Sequence, residues 1–471
     1  MIVRNCFCEF GFAPWQSELL RCCFPPVFGA GHAVEFRGFC QIVNIRDAKE
    51  VLFSADPEGS DVMYGAGLVI LLLAGVLSGG MCSAGDDTGD GIAHGRRVYT
   101  IQSDTVELAV TAVGGHQAPV TFFPQSDAPI RPYYISPWQD EPASEMPVPV
   151  LVPLRGDFFC MPFGGNGNSY HGEMHPPHGE VAGSRWQLEG KSHKDGVQRL
   201  DLSLATQVRS GRVLKSILLR DGESVIYTTH RISGFSGATS LGHHATLAMP
   251  DEEGSVRIAT SAIQFGMTCP GIFSNPLNKE YQRLLPGARW ESLAKVPLAW
   301  KGTDDADLTR MPGTQGFADL VQIFPKQPPA GEPAWVTATF AERGFLWFSM
   351  KDPGILKSTV FWMENRGRHG HPWNGRNNCL GLEDVTAFFA EGLSDSASDN
   401  VLRKAGIATS VTLSEQQPFH VHYIQGVVRI PEGFDVVQNV TFGDGSATFH
   451  SQSGAAVSTE VRFGYVFTGT F

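Results

Sequence analysis

Trp335-Val-Thr-Ala-Thr-Phe340 and Phe345-Leu-Trp-Phe-Ser-Met350, separated by Ala341-Glu-Arg-Gly344, decide the fold class. Both runs are dense in aromatic and β-branched residues, which suit a pleated, half-buried surface. A short link containing glycine joins them, so the pair reads as an antiparallel hairpin. The same texture continues outward in both directions. Val106-Glu-Leu-Ala-Val-Thr-Ala-Val113 has strand composition and ends in Gly114-Gly115. Thr359-Val-Phe-Trp362 and Val461-Arg-Phe-Gly-Tyr-Val-Phe467 read as further strands. Stretches with a 3.6-residue period are rare; 278–285 and 398–405 are at most short helices. The 53 glycines and 30 prolines suit a chain with many turns. There is no internal repeat and no low-complexity tract. Residues 96–471 therefore read as one all-β antiparallel sandwich. At 42% hydrophobic and 18% charged residues, the chain has enough apolar material for a large core.

The region before residue 96 has a different character. Gly65 to Met81 is an apolar run without a charge, rich in leucine. It has about the length of a signal-peptide core with its cleavage region and is short for a membrane span. Small residues (Ser78, Gly79, Gly80, Ser83, Ala84, Gly85) follow the leucines, and acidic Asp86, Asp87 and Asp90 come next, as at a solvated mature N-terminus. The expected division is 1–62 as a poorly ordered extension, 63–95 as signal peptide or membrane anchor with a polar linker, and 96–471 as the sandwich. The run starts far into the chain, with no Lys or Arg just before it; a true start at Met63 resolves both points. Acylation of Cys82 is a second route, against which Met81 counts as a poor preceding residue. A buried core helix is the third reading. Either export reading places the domain outside the cytoplasm, as a periplasmic, secreted or membrane-anchored protein, with any membrane attachment made through the N-terminal segment alone.

Charge and cysteines exclude several classes. The formal net charge is −12 and no Lys/Arg run is present, so a nucleic-acid partner, whose phosphates need a basic face, is not expected. Cys6, Cys8, Cys22, Cys23, Cys40 and Cys82 all precede residue 83. Cys160, Cys269 and Cys379 are too widely spaced for a disulfide framework, and no CxxC pair supports a zinc site. His171, His175 and His178 show HxxxH and HxxH spacing, yet Pro176, Pro177 and nearby glycines bar the helix that would align their rings. His171-Gly-Glu-Met-His175 is HxExH, which is not the zinc-protease pattern. No metal and no cofactor are expected. Gly164-Gly-Asn-Gly167 lacks the Lys-Ser/Thr of a phosphate loop and reads as a turn.

Four clusters of polar and ionisable residues carry the chemistry. They are Leu154-Arg-Gly-Asp-Phe-Phe-Cys-Met-Pro-Phe-Gly-Gly165; His171-Gly-Glu-Met-His-Pro-Pro-His-Gly-Glu-Val-Ala182, with Trp186 beyond; Leu241-Gly-His-His-Ala-Thr-Leu247; and Glu364-Asn-Arg-Gly-Arg-His-Gly-His-Pro-Trp-Asn374, leading to Leu380-Gly-Leu-Glu-Asp384. In this order they resemble the galactose mutarotase-like superfamily, which comprises aldose 1-epimerases and hexose-phosphate epimerases. Arg155 to Gly164 resembles a shortened RGG-x-P-x-C-x-P-x-FG stretch. His178-Gly-x-x-Ala182 with Trp186 resembles the HGFAR…W motif, and His244-Ala-Thr-Leu the His-Ser/Thr-Tyr-Phe motif. Glu383 stands where the family places its catalytic Glu. Val113-Gly-Gly-His116 before Val120-Thr-Phe122 resembles the early hairpin of that fold. The resemblance spans roughly residues 98–465 and implies a large antiparallel β-supersandwich.

It also implies a reaction. A mutarotase opens a pyranose ring and recloses it on the other face, which needs one group to accept the anomeric proton and another to protonate the ring oxygen. A carboxylate and an imidazole suit that work near neutral pH. By resemblance, Glu383 is the base and His244 the acid, while His178 bonds sugar oxygens and helps polarise the ring oxygen. Arg155 is a planar donor to sugar hydroxyls or to a phosphate, and Trp186 and Trp373 stack on a sugar face. The ligand implied is a hexose or the terminal sugar of a glycan. The chain departs from the family in three places. The Phe and Arg of HGFAR are missing, the Asn often preceding the acid histidine is His243, and Thr246-Leu247 replace an aromatic pair. His243 and His244 are thus alternatives for the same role. A non-catalytic carbohydrate-binding sandwich of an exported polysaccharide-utilisation system is the second reading. A lyase or hydrolase on the same sandwich, with Tyr170 as its one nearby tyrosine, is the third.

Overall fold

In the computed structural model, residues 89–471 are described, apart from 301 and 303. The apolar run 65–81, the six cysteines before residue 83 and the expected signal or anchor segment lie outside them. Among the described residues, no helix is long and apolar enough to cross a membrane.

The expected hairpin is present: Ala334–Phe340 pairs antiparallel with Phe345–Lys351, from Ala334↔Lys351 to Phe340↔Phe345. It sits inside a nine-stranded antiparallel sheet that continues through Phe419–Arg429, Val225–Ser233, Gly211–Arg220, Val197–Thr206 and the edge strand Gln187–Lys194. An eight-stranded sheet runs through Ile263–Thr268, Phe317–Pro325, Ser358–Asn365 and Asn378–Thr386 to the short strands Leu241–His243, Ala245–Ala248 and Phe159–Cys160. Leu247, Leu380 and Leu382 of the eight-stranded sheet share one core with Trp347, Val421 and Tyr423 of the nine-stranded sheet. The all-β antiparallel sandwich follows from that shared core.

Each large sheet is covered over part of its other face. The outer face of the eight-stranded sheet presents Val360, Trp362 and Cys379 to a second cluster made with Trp138, Leu154, Phe158 and Phe163 from the connections. The outer face of the nine-stranded sheet packs Tyr227, Phe348 and Ile424 against Val440, Phe449 and Val461 near the C-terminus. Burial on both faces explains why Ala334–Phe340 and Phe345–Lys351 are buried at every position instead of alternating.

One local expectation is overturned and others are sharpened. Residues 461–467 are not a strand: strand Ala456–Glu460 ends before them and Tyr465–Thr468 is helical. Tyr465 and Val466 are both buried in the outer cluster of the nine-stranded sheet, and a strand would point consecutive side chains to opposite faces. Within 278–285, only the end of a 3-10 turn, Pro276–Asn278, is helical. Within 398–405, Val401–Lys404 is helical, its first turn held by Asn400 accepting from the Leu402 and Arg403 N–H groups. The stretch read as a linker up to residue 95 contains strand Gly91–Ala93, which pairs with Arg96–Gln102.

Candidate active site

Strand register decides which polar residues meet. Leu241–His243 and Ala245–Ala248 both pair with Asn378–Thr386, through Gly242↔Val385 and Ala245↔Leu382. Residues two apart share a face. His243 therefore points inward with Ala245, Leu247, Leu382 and Asp384. His244 points outward with Thr246, Gly381 and Glu383. On the neighbouring strand Val360 lies opposite Glu383 and Trp362 opposite Gly381, which adds Trp362 and Glu364 to the outward set.

His244, Glu383 and Trp362 of the outward set line a cavity of ≈ 110 Å³. Its polar wall is His178, His244, Glu383 and Arg368, and Trp362, Trp373, Phe158, Leu154 and Leu320 supply apolar wall. His244 Nε2 lies 3.2 Å from Glu383 Oε1. That contact is close but not aligned as a hydrogen bond, and Glu383 Oε1 is buried without a partner. His244 Nδ1 is 3.1 Å from the Thr246 hydroxyl. Its ring stacks on Phe158, with centroids 4.5 Å apart. Trp362 meets the ring edge-on at 5.6 Å. His178 reaches the same wall from the loop: its ring is 5.1 Å from that of His244, its N–H donates to Gly164 O and its carbonyl accepts from Met161 N. His178 Nδ1 has no partner. Glu383 and His244 thus converge side by side on one wall of the hollow.

Burial sets the charge of these groups. Desolvation pushes the Glu383 carboxyl well above the usual range, with nearby Arg368 opposing it. It pushes the His244 imidazole well below its ordinary value, and neighbouring His178 and His116 add to the effect. His178 is lowered to about 4, by burial first and Arg368 second. Burial thus favours the neutral form of both members of the pair.

Three expected site residues lie elsewhere. His243 is on the opposite face, where its Nδ1–H donates to Asp157 at 2.8 Å and its ring stacks on Tyr423. Arg155 is fully buried; its guanidinium donates to the carbonyls of Ala93, His94 and Pro153 and to Gln139. It anchors the N-terminal hairpin and leaves no donor turned to the cavity. Trp186 is equally buried, and its indole donates to Val181 O. Trp373 does line the cavity, edge-on to Trp138 and Trp362. His175 pairs with Glu173, which also holds Arg209, so His171, His175 and His178 do not converge.

Arg368, Trp362 and Glu364 fall in or beside the fourth cluster, and sequence reasoning assigned none of them a role. A signal did exist for Trp362, two positions from Glu364 on a strand. For Arg368, one residue past a glycine, only the fold reveals the position.

No family model matches the chain, and no curated protein matches it by sequence. Galactose mutarotase-like proteins recur among the solved structures it is similar to. One, from Clostridium acetobutylicum, is 11% identical over 72% of this chain and 98% of its own, with a TM-score of 0.47. A galactose mutarotase related enzyme from Lactobacillus acidophilus is 12% identical over 70% of this chain and 97% of its own, with a TM-score of 0.45. The Slr1438 protein from Synechocystis is 13% identical over 72% and 99%, also at 0.45.

Proposed function

We propose that the protein is an aldose 1-epimerase-like enzyme that binds a hexose, free or at the end of a glycan, and interconverts its anomers by general acid–base ring opening and closure. The observation that carries this reading is the contact between His244 Nε2 and Glu383 Oε1, 3.2 Å apart on the wall of an aromatic-lined cavity. The anomeric oxygen and the ring oxygen of a pyranose are bonded to the same carbon. They lie closer together than a hydrogen bond is long, so an adjacent acid and base can address both at once.

The protons balance over one cycle. The base accepts the anomeric hydroxyl proton as the C1–O5 bond breaks and C1=O forms; the acid gives its proton to O5. Each partner now holds the other's former state. Rotation about C1–C2 and the reverse transfer close the ring on the opposite face and restore the pair. Because burial favours the neutral carboxyl and the neutral imidazole, Glu383 is the first acid and His244 the first base. The opposite assignment, expected from the resemblance, is the same pair after one proton has moved. Trp362 and Trp373 offer faces for the apolar C–H side of the ring, and His178, with its free Nδ1, offers a bond to a hydroxyl. Export through the N-terminal segment remains part of the proposal, and N-terminal sequencing of the secreted fraction tests it.

The test of the enzyme reading is proton NMR of anomer exchange for a panel of aldoses. Wild type accelerates exchange for at least one aldose, and Glu383→Gln lowers that rate by roughly 10²–10⁴-fold. Sugar binding with equal exchange rates in both proteins would instead identify a non-catalytic carbohydrate-binding sandwich.

A further inference from the structure

We propose that Thr246 is the positioning residue of the catalytic pair: its hydroxyl holds the His244 imidazole proton on Nδ1, so that Nε2 meets the ligand as a bare acceptor. The inference rests on the reading of His244 as the first base and assigns that work to one of its two nitrogens.

Packing fixes the His244 ring and leaves its proton as the variable. The ring stacks on Phe158 at 4.5 Å with 18° between the planes. Phe158 stacks in turn on His116, at 4.0 Å and 12°. His116 is held at both nitrogens: Nδ1 accepts from the Arg155 N–H, so Nε2 carries the proton and donates to Ala182 O. The backbone is tied as firmly. The His244 N–H donates to Phe158 O, the Thr246 N–H donates to Gly156 O, and Thr246 O accepts from the Tyr134 N–H.

Thr246 lies two residues on, on the same face of the strand as His244, and is buried. Its Oγ1 is 3.1 Å from His244 Nδ1 and 3.5 Å from His244 O. A hydroxyl has one proton to give and lone pairs to offer. The carbonyl can only accept, so the Thr246 proton turned toward it leaves a lone pair for Nδ1, which must then carry the ring proton. The other end of the ring agrees. Nε2 is 3.2 Å from Glu383 Oε1, but the two are not aligned for an N–H donation, and Glu383 Oε1 has no partner. A proton on Nε2 would be a donor in a buried wall without an acceptor among the described residues, which is costly. A lone pair there is open to a ligand hydroxyl. His243 is held in the same way by a stronger group, its Nδ1–H donating to Asp157 at 2.8 Å with Nε2 unpartnered. A hydroxyl in place of a carboxylate sets the tautomer without adding a negative charge to the cavity wall. The role does not come with the family resemblance, because Thr246 stands where that motif carries an aromatic residue.

In the ring-opening step Nε2 takes the anomeric hydroxyl proton while Glu383 gives its own to O5. His244 then holds protons on both nitrogens, and Nδ1–H stays donated to Thr246. The reverse transfer removes the Nε2 proton alone. With the tautomer inverted, the bare nitrogen would face Thr246 instead of the ligand.

Two-bond nitrogen–proton NMR spectra of the full chain, labelled with ¹⁵N-histidine, report the tautomer directly, and His244→Gln identifies the His244 signals by their loss. Wild type should show a protonated Nδ1 and a bare Nε2. Thr246→Val keeps the shape and removes the hydroxyl; it should shift the tautomer ratio toward Nε2–H by about threefold to tenfold, the worth of one neutral hydrogen bond. Anomer exchange should fall by a similar factor in kcat with KM little changed, and Thr246→Ser should restore both. A wild-type His244 protonated on Nε2, or on both nitrogens, overturns the inference. So does a folded Thr246→Val protein whose His244 stays wholly in the Nδ1–H form, or a Thr246→Ser protein that recovers neither tautomer nor rate. The spectra need no sugar, so the two readings fail separately. An Nδ1–H signal lost in Thr246→Val, with no anomer exchange in wild type, removes the enzyme reading and with it the ligand's part in this one. An Nε2–H signal alongside exchange that Glu383→Gln abolishes removes the Thr246 assignment alone.

Discussion

Glu383 and Asp384 are neighbours on one strand, and His243 and His244 are neighbours on the chain beside it, so the pleat sends one acid and one imidazole to each face of the sheet. The two faces use them differently. Inside the sandwich, Asp384 accepts from Lys351 and Thr359 on one oxygen and from Ser349 and Tyr423 on the other. His243 is fixed to Asp157 and packed against Tyr423. On the cavity face, Glu383 Oε1 is unpartnered although His244 Nε2 is 3.2 Å away. Burial is equal, and the number of satisfied bonds on the two carboxylates separates them; on the inward face His243 Nε2 lacks a partner. A buried carboxylate with all its acceptor sites used is part of the framework. One left unsatisfied beside a hollow stores reactivity, since a ligand can complete its bonding.

The largest expected effect separates the two neighbours directly. Asp384→Ala leaves the buried Lys351 ammonium and three hydroxyls without their acceptor, which should cost about 3–5 kcal/mol in a denaturant titration. Glu383→Gln removes no protein hydrogen bond and should stay within about 1 kcal/mol of wild type while losing the anomer-exchange rate. Equal destabilisation by both changes would break the comparison, because Glu383 would then be framework too.

Much of this contrast was legible in the sequence, and some was not. The strands around residues 335–350 were readable because aromatic and β-branched residues are concentrated there. Glu383 was singled out by resemblance. Which histidine faces it was left open, although Leu241, His243, Ala245 and Leu247 form one apolar phase and His244 and Thr246 the polar one. That alternation, taken with Leu380 and Leu382 one strand over, sorts the pair. Arg155 was not readable: its acceptors at Ala93 and His94 lie some 60 residues away and belong to a stretch that looked like linker. Residues 461–467 misled for the opposite reason. Their composition is that of a strand, but the space beside Phe419–Arg429 accepts a helical turn, and tertiary packing overrides propensity.

Glu364 extends the comparison to a third carboxylate, on the same outward face as Glu383, with Oε1 held by the Gly367 and Arg368 N–H groups and Oε2 without a hydrogen-bond partner. Its pKa rises from 4.5 to about 7 on folding. A raised folded-state value means that the native state holds the proton more tightly than the unfolded chain between those limits. The associated stability is fully present below pH 4.5 and is lost as pH rises through about 7. The shift corresponds to about 3 kcal/mol. Glu364→Gln should therefore match wild type in urea titrations near pH 4.5 and exceed it near pH 8. A constant difference at all pH values would show that Glu364 does not titrate on folding.

The smallest effect concerns the space that keeps Glu383 where it is. Gly381 shares the cavity face with Glu383, and a Cβ there would lie 2.4 Å from Glu383 Oε1 and 3.1 Å from the Trp362 Cβ. The carboxylate is the end of a side chain and can swing away; the Trp362 Cβ is tied to the neighbouring strand and gives only slightly. Gly381→Ala should accordingly move Glu383 off His244 at a stability cost of about 1 kcal/mol, with a fall in exchange rate of about tenfold or more, since misplacing a catalytic group by an ångström is costly. Gly242, on the same outward phase of the paired strand, meets backbone instead: a Cβ there would lie 2.4 Å from Asp384 O and 2.6 Å from Val385 Cα. Neither atom can swing aside, so Gly242→Ala should lower stability more than Gly381→Ala does. A Gly381→Ala protein that keeps full exchange activity would show that the Glu383 carboxylate has room to act from more than one position, and that its place beside His244 is a resting contact only.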